Sequence, residues 1–512
     1  MVFTQQFISQ FSVNDEVIAV NDFHRQLTRR ELFERAVKLA AYFSQQGLTT
    51  DDHVAVLVSN RTEYVEVVLA SVFAGVWLTP VNWHLTESEI CYVLEDCGCC
   101  LLIIEDRFES LFADINASGY PLLRMGAEYE AALRGVEPAD LHYPALAGGV
   151  MMYTSGTTGR PKGVKRTRPG DITKTLATWA STGKAIGLDG SGPHLITGPM
   201  YHAAPLLYAF YDLLNGASVI IMQAWDAQQA LSLIERYRVT HTHFVPTMFT
   251  RCLRDRAGFD REYDLSSLTM VLHGAAPIGV QLKQDIHEWW GDSLVEYWGG
   301  TESGIVTRVS AAQWRKRPGT VGKPLSQFEV FSVDDAGQRL SVGEVGMLYI
   351  QHQDSEQPFS YHGDPEKTAE SYLRAGTFTL GDLGHVDEEG YVYLSDRRSN
   401  LIISGGVNIY PAEIEQVLCE HPAVVDAAVF GLPSEEWGQT VHAAVELDPS
   451  WHEDDVIGEL KSFAELKLAR FKLPRQFYLV DKLPRYESGK LYLSRLRKML
   501  DLEQVIQSEV TM

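Results

Sequence analysis

A chain of 512 residues with 67 acidic side chains against 44 lysines and arginines has a formal net charge of −23. Without a basic block, that balance excludes general binding to nucleic acid or to an anionic membrane. Its 45% hydrophobic and 22% charged residues are ordinary globular proportions. At roughly 150 residues per domain the length predicts about three units, or two with one large.

In chain order, the N-terminal stretch MVFTQQFISQF lacks the basic-then-apolar layout of a signal peptide. An apolar stripe of helical period occupies 30–46, and 53–59 reads as a short strand. The most apolar run, 65–81, carries Glu66, Ser71 and Gly75 and ends near Pro80. It is too short and too interrupted to span a bilayer, and predicts a buried helix running into a strand. Four of the six cysteines cluster at Cys91, Cys97, Cys99 and Cys100, and the CGCC run at 97–100 sits between a helical pattern and the strand at 101–105. That placement reads as buried thiols in a turn and a strand, not as a metal site or a disulfide framework. Strand and helix signals continue to alternate: strands at 218–222, 241–245 and 270–273, helices at 227–237 and 246–255. Such alternation predicts an α/β fold with helices on mostly parallel sheets.

From about residue 319 the pattern becomes short β segments with glycine turns, and the polar run at 395–400 is a natural boundary. Beyond it come a helix at 411–419, strands at 424–432 and 440–447, and a helix at 455–467. The predicted organisation is a large N-terminal domain, 1–398, with a β-rich subdomain at about 319–398, and a small α+β domain, 399–512. No internal repeat interrupts it. The C-terminal residues match no peroxisomal or ER address, so the cytoplasm is the expected compartment.

The densest chemical signal is YTSGTTGRPKGV at 153–164. Gly156 and Gly159 let backbone approach a ligand closely, and successive N–H groups can form an anion-binding nest. Thr154, Ser155, Thr157 and Thr158 add hydroxyl donors, and Lys162 adds charge. Phosphate is the natural ligand, yet no Gly-Lys-Ser/Thr closes the loop, so it is not a Walker A motif.

Further motifs follow in order: PMYHAAP at 199–205, HGAAP at 273–277, YWGGTES at 297–303, LGD at 380–382, SDRRSNLIISGGVNIYPAEIE at 395–415 and LPRYESGKL at 483–491. Together with the loop at 153–164 they resemble the adenylate-forming superfamily, most closely its acyl-CoA synthetases, across essentially the whole chain. The resemblance implies a two-step reaction. A carboxylic acid attacks the α-phosphate of ATP to give an acyl-adenylate and pyrophosphate. A thiol, normally that of coenzyme A, then displaces AMP. Both first substrates are anions, so Mg²⁺ and lysines are expected to neutralise the phosphates.

Residue by residue, the resemblance makes Glu302 the metal-associated acid and Thr301 a phosphate contact. Asp382 and Arg397 become ribose or phosphate contacts; either alone would read as a solvated charge. Gly274, Ala275 and Ala276, small residues after a strand, suit the approach of a flat adenine. Trp298 and Gly299 join this nucleotide set, although the family commonly has Tyr where this chain has Trp298, with Tyr297 one place earlier. Lys490, in an exposed-looking glycine turn, becomes the adenylation catalyst, which requires the C-terminal domain to close over the site. That domain is expected to rotate afterwards about Ser399, where the family usually has Asp or Lys, bringing Gly405 and Gly406 to coenzyme A. His202 is expected to wall or gate the carboxylate pocket rather than to act as an acid or base.

With His202, the apolar pocket candidates are Leu206, Tyr208, Phe210, Val245, Trp298 and Ile305. They favour a fatty, cyclic or aromatic monocarboxylate over an amino acid. The expectation is a cytoplasmic, ATP- and Mg²⁺-dependent acid–CoA ligase without a transmembrane segment, with a homodimer left open. Two alternatives are an adenylation enzyme that loads a carrier protein in trans, and a non-catalytic nucleotide-binding relative.

Overall fold

A computed structural model of the chain describes residues 16–109, 119–137, 144–154, 161–397, 400–404, 407–434, 437–451, 453–485, 489 and 491–502. Its first long helix, Arg29–Gln45, starts at a capping box: the Thr28 hydroxyl accepts from the Glu31 N–H while the Glu31 carboxylate accepts from the Thr28 N–H. The apolar run that followed in the sequence forms the helix Thr62–Ala74, buried at every residue, and then the strand Trp77–Pro80. Glu66 tolerates burial in that helix because Arg35 Nε lies 2.8 Å from its Oε1 and the Tyr129 hydroxyl donates to its Oε2 at 2.7 Å. Cys97 caps the helix Glu87–Asp96 and Cys99 opens the strand Cys99–Ile104, both buried, as free thiols.

One sheet of seven strands runs in the order Phe359–Tyr361, Lys162–Arg166, Gly149–Thr154, Trp77–Pro80, His53–Leu57, Cys99–Ile104, Leu122–Arg124. Its last five strands are parallel. A larger sheet has the parallel succession Ile18–Asn21, Val219–Ile221, His194–Ile196, His241–Phe244, Met270–His273 and Leu294–Gly300. Helices Arg29–Gln45, Thr62–Ala74 and Ala203–Asn215 fill the space between the sheets. Their buried faces share one core with Val54, Val56 and Leu78 of the smaller sheet and with Val20, Ile196, Val219 and Ile221 of the larger.

The change to antiparallel pairing occurs at Gly304–Ser310, ahead of the expected residue 319. The strands that follow, Thr320–Pro324, Val392–Arg397, Thr377–Val386, Gly346–His352 and Phe328–Val333, continue the larger sheet. One strand of this region, Phe359–Tyr361, crosses over to pair with Lys162–Arg166 and so ties the two sheets together.

The C-terminal part has its own antiparallel strands, Ile402–Ser404, Val407–Ile409, Val424–Ser434 and Gly438–Leu447, with Gln476–Val480 parallel to the last. Helices Pro411–Cys419 and Glu453–Lys467 accompany them, and Ile402, Ile414, Leu418, Val441, Val445 and Leu460 form a separate core. The architecture is therefore mixed α/β, a large N-terminal part with a small C-terminal one. No helix among the described residues is long and apolar enough to cross a membrane.

Candidate active site

In open parallel sheets, ligands bind outside the carboxyl ends of the strands. Here that edge carries the predicted residues in succession. His202 follows His194–Ile196, Val245 follows His241–Phe244, Gly274 to Ala276 follow Met270–His273, and Trp298 to Glu302 end Leu294–Gly300.

The turn between Leu294–Gly300 and Gly304–Ser310 is shaped by its glycines. A Cβ on Gly299 would lie 1.9 Å from the Gly304 carbonyl oxygen, so no other residue fits. The Gly300 N–H donates to Ser303 Oγ at 3.2 Å, and Thr301 and Glu302 project from the turn, each half-buried. Glu302 Oε1 accepts from the Tyr361 hydroxyl at 2.9 Å. Its Oε2 turns over Gly300, 2.9 Å from where a Cβ there would stand.

Thr154 and Lys162 face each other as the last pair of the hairpin Gly149–Thr154/Lys162–Arg166. Ser155, Gly156, Thr157, Thr158 and Gly159, between them, lie outside the described residues. Lys162 Nζ sits 2.6 Å from Asp364 Oδ2, which raises the lysine's pKa and lowers the carboxylate's. Asp364 is held in turn as the cap of the helix Pro365–Glu370, its Oδ1 accepting from the Lys367 N–H at 2.9 Å.

Alternation along Leu294–Gly300 sends two neighbouring rings to opposite sides. Trp298 packs with Val164, Val306 and Phe378, and its indole N–H donates to Asp382 Oδ2 at 2.8 Å. Asp382 and Arg397 are cross-strand partners in the pairing of Thr377–Val386 with Val392–Arg397. Tyr297 instead joins Tyr208, Tyr211, Leu272 and Ile305. Its hydroxyl lies 3.0 Å from His243 Nε2, and Tyr208 packs edge-on at 5.5 Å. Burial pushes His243 down to about 3, so its ring is neutral. Gly274 sits against this group: a Cβ there would be 2.7 Å from the Tyr297 carbonyl oxygen. Ala275 takes the left-handed φ of 67°, sparsely populated by non-glycine residues and a mark of functional turns.

The pocket candidates divide between different sides of the sheet edge. Trp298 belongs to the Asp382 side, and the ring on the Tyr208 side is Tyr297. Leu206 and Phe210 are in the core between the sheets with Val65, Ile196 and Met200. Residues four apart share a helix face, and 206, 210 and 213 turn inward together while Tyr208 and Tyr211 turn toward Tyr297. Val245 caps the helix Pro246–Asp255 and is buried. His202 caps Ala203–Asn215, half-buried, with the Tyr201 ring at 4.6 Å.

From the C-terminal part, Gly489 comes down on this edge. A Cβ on it would be 3.7 Å from Ala276 Cβ and from Thr247 Oγ1, and 3.8 Å from Val245 Cβ. Arg485 donates to the Gly489 carbonyl at 3.2 Å while gripping Asp426 at 2.5 and 2.8 Å. The Tyr492 hydroxyl reaches Glu89 Oε1 at 3.2 Å. Lys490, Ser399, Gly405 and Gly406 lie outside the described residues, as does the Arg397 side chain.

Sequence reasoning missed Tyr361, Asp364, Tyr297 and His243. The signal for Asp364 was present: Asp followed by Pro, which marks a helix start. Nothing local marks Tyr361, which is 59 residues from its partner.

The family model for an AMP-binding enzyme matches residues 8–355, and that for the AMP-binding enzyme C-terminal domain matches 413–490. A 2-succinylbenzoate–CoA ligase of Geobacillus kaustophilus (strain HTA426) is 33% identical over 493 residues, 95% of each chain. A feruloyl-CoA synthase of an Amycolatopsis species is 34% identical over 479 residues, 92% of this chain and 94% of that one. The solved o-succinylbenzoate CoA synthetase of Bacillus subtilis, in complex with its acyl-adenylate intermediate, superposes with a TM-score of 0.82 at 29% identity, covering 97% of each chain.

Proposed function

This chain belongs to the AMP-binding enzyme family, and from that premise we propose that it is an acid–CoA ligase for an aromatic carboxylic acid. The observation that carries the reading is the meeting of Glu302, the Trp298–Asp382 pair, Gly274 to Ala276 and the C-terminal Gly489 around one sheet edge. Aromatic specificity draws on the Tyr208–Tyr297–His243 group behind Gly274, and on relatives whose names specify 2-succinylbenzoate and ferulate.

In this reading Thr154 to Gly159 and Lys162 hold the phosphates of ATP. Asp382, fixed by the Trp298 indole, and Arg397 take the ribose, and adenine lies along Gly274 to Ala276. Thr301 contacts the α-phosphate. Glu302 is the residue suited to Mg²⁺, which prefers one or two carboxylates together with substrate phosphates. Its Oε2 lies over the glycine turn, beyond the oxygen that Tyr361 holds. When bound, Mg²⁺ supplies charge neutralisation on the phosphates. Lys490, one residue past Gly489, stabilises the negative charge as carboxylate and α-phosphate meet, with His202 walling the carboxylate. The domain 399–512 then turns about Ser399, bringing Gly405 and Gly406 to the thiol substrate.

Carboxylate-dependent ATP–pyrophosphate exchange over benzoates, cinnamates, fatty acids and amino acids tests the first half-reaction. The expected result is exchange with an aromatic acid; none with any acid ends the ligase reading. AMP release with free coenzyme A, compared with purified carrier protein, tests the acceptor. Coenzyme A is expected to serve.

A further inference from the structure

One short segment, 361–364, grips two charged residues assigned above to ATP and its metal. Lys162 pairs with Asp364 at its end, and Glu302 accepts from Tyr361 at its start. Tyr361 is itself well fixed. It ends the strand paired with Lys162–Arg166 and faces Val164, and its N–H donates to Thr368 Oγ1 at 3.0 Å. Its ring is half-buried, edge-on to Phe359 at 5.6 Å. Glu302, by contrast, stands in a turn flanked by glycines and needs an outside partner to hold one orientation.

We propose that Tyr361 is a positioning residue for adenylation, orienting the Glu302 carboxylate toward the metal that accompanies ATP. The inference rests on the metal role given to Glu302. A phenol suits the task for a stated reason. It donates one hydrogen bond to Oε1 and leaves the carboxylate its full negative charge. A lysine or arginine in the same place would neutralise that charge and compete with the cation. Partners that orient metal-holding groups typically change metal affinity by about 10–100-fold when removed.

Tyr361→Phe keeps the ring and its packing and removes only the hydroxyl. Two readouts are taken: the Mg²⁺ dependence of ATP–pyrophosphate exchange, and Mn²⁺ binding by electron paramagnetic resonance in the presence of a non-reactive ATP analogue. Both half-saturating metal concentrations should rise about tenfold. Nucleotide binding in EDTA, melting temperature and thioester formation from supplied acyl-adenylate should stay at wild-type values. Unchanged metal dependence, or a loss confined to melting temperature, overturns the proposal. Glu302→Gln is measured alongside. If it too leaves metal binding untouched, the metal role of Glu302 fails and takes the proposal with it. If only Glu302→Gln shifts the curves, the positioning role alone fails. The double variant should be no worse than Glu302→Gln, because the hydroxyl acts through that carboxylate.

Discussion

At the scale of single residues, the site depends on polar contacts made across long stretches of chain. The Trp298 indole N–H and Asp382 are 84 residues apart, and both are buried. Hydrogen bonds to charged groups contribute about 1.5–3 kcal/mol, and a buried acceptor that loses its donor costs more than the bond itself. Trp298→Phe should therefore raise the KM for ATP by roughly tenfold or more while kcat moves little, since the ribose contact proposed for Asp382 would be made in ground and transition states alike. A fall in kcat at unchanged KM would show that Trp298 serves the chemistry and not the ribose. The same residue shows how far the sequence could be read. Its motif marked Trp298 for the nucleotide, and the indole does meet Asp382. The side it faces was not legible, because a strand alternates and one place in register exchanges Trp298 for Tyr297. The pairing of Asp364 with Lys162 was invisible for another reason: it spans 202 residues, and pairing at that distance leaves no local pattern.

At the scale of elements, periodic segments were legible almost to their ends. Helices Ala227–Tyr237, Pro246–Asp255 and Pro411–Cys419 fall where their apolar period placed them. The helix Pro365–Glu370 was not read, being too short for a period, although Asp364 and Pro365 begin it in the favoured way. The helix Ala203–Asn215 supplies a test of facing. Leu206 lies in the core between the sheets, and Tyr208 in the group with Tyr297 and Ile305. Leu206→Ala should cost about 2–5 kcal/mol in urea unfolding with substrate preference unchanged. Tyr208→Ala should alter the order of preferred acids in the exchange assay. Altered preference from Leu206→Ala alone would return that residue to the pocket. The turn around Gly489 is a second element with a test. Gly489 lies against Ala276, Thr247 and Val245 and its carbonyl is held by Arg485; the next residue in the sequence is Lys490, the proposed adenylation catalyst. Lys490→Ala should lower exchange by about 100-fold or more, with much less effect on thioester formation from supplied acyl-adenylate. Equal loss of both would remove it from the adenylation step.

At the scale of the whole molecule, the charge of −23 and a set of buried histidines oppose each other as pH falls. Burial lowers His53 and His243 to about 3 and His287 to about 4, and it lowers His194 and His273 as well. An unfolded histidine takes its proton near pH 6.5. Between about pH 6.5 and the folded values, the unfolded chain therefore binds more protons than the native one, and stability declines as pH falls. Each such group contributes up to roughly 1.4 kcal/mol per pH unit within its window. Asp212 adds to the loss at lower pH. Held to about 2 by His194 and His241 despite its burial, its carboxylate stabilises fully above about pH 3.8, and that contribution disappears as pH falls toward 2. Against these terms, protonation of surface carboxylates relieves the self-repulsion of a strongly acidic protein. Salt decides between them, because it screens exposed charges over about 10 Å at 0.1 M and reaches buried groups much less. At about 0.5 M salt the histidines should prevail. The melting temperature should drop steadily from pH 6.5 to 4.5, and His243→Asn with His287→Gln should flatten the slope. A melting temperature level down to pH 4.5 at that salt concentration would show that the buried histidines are matched by protonation elsewhere in the native state.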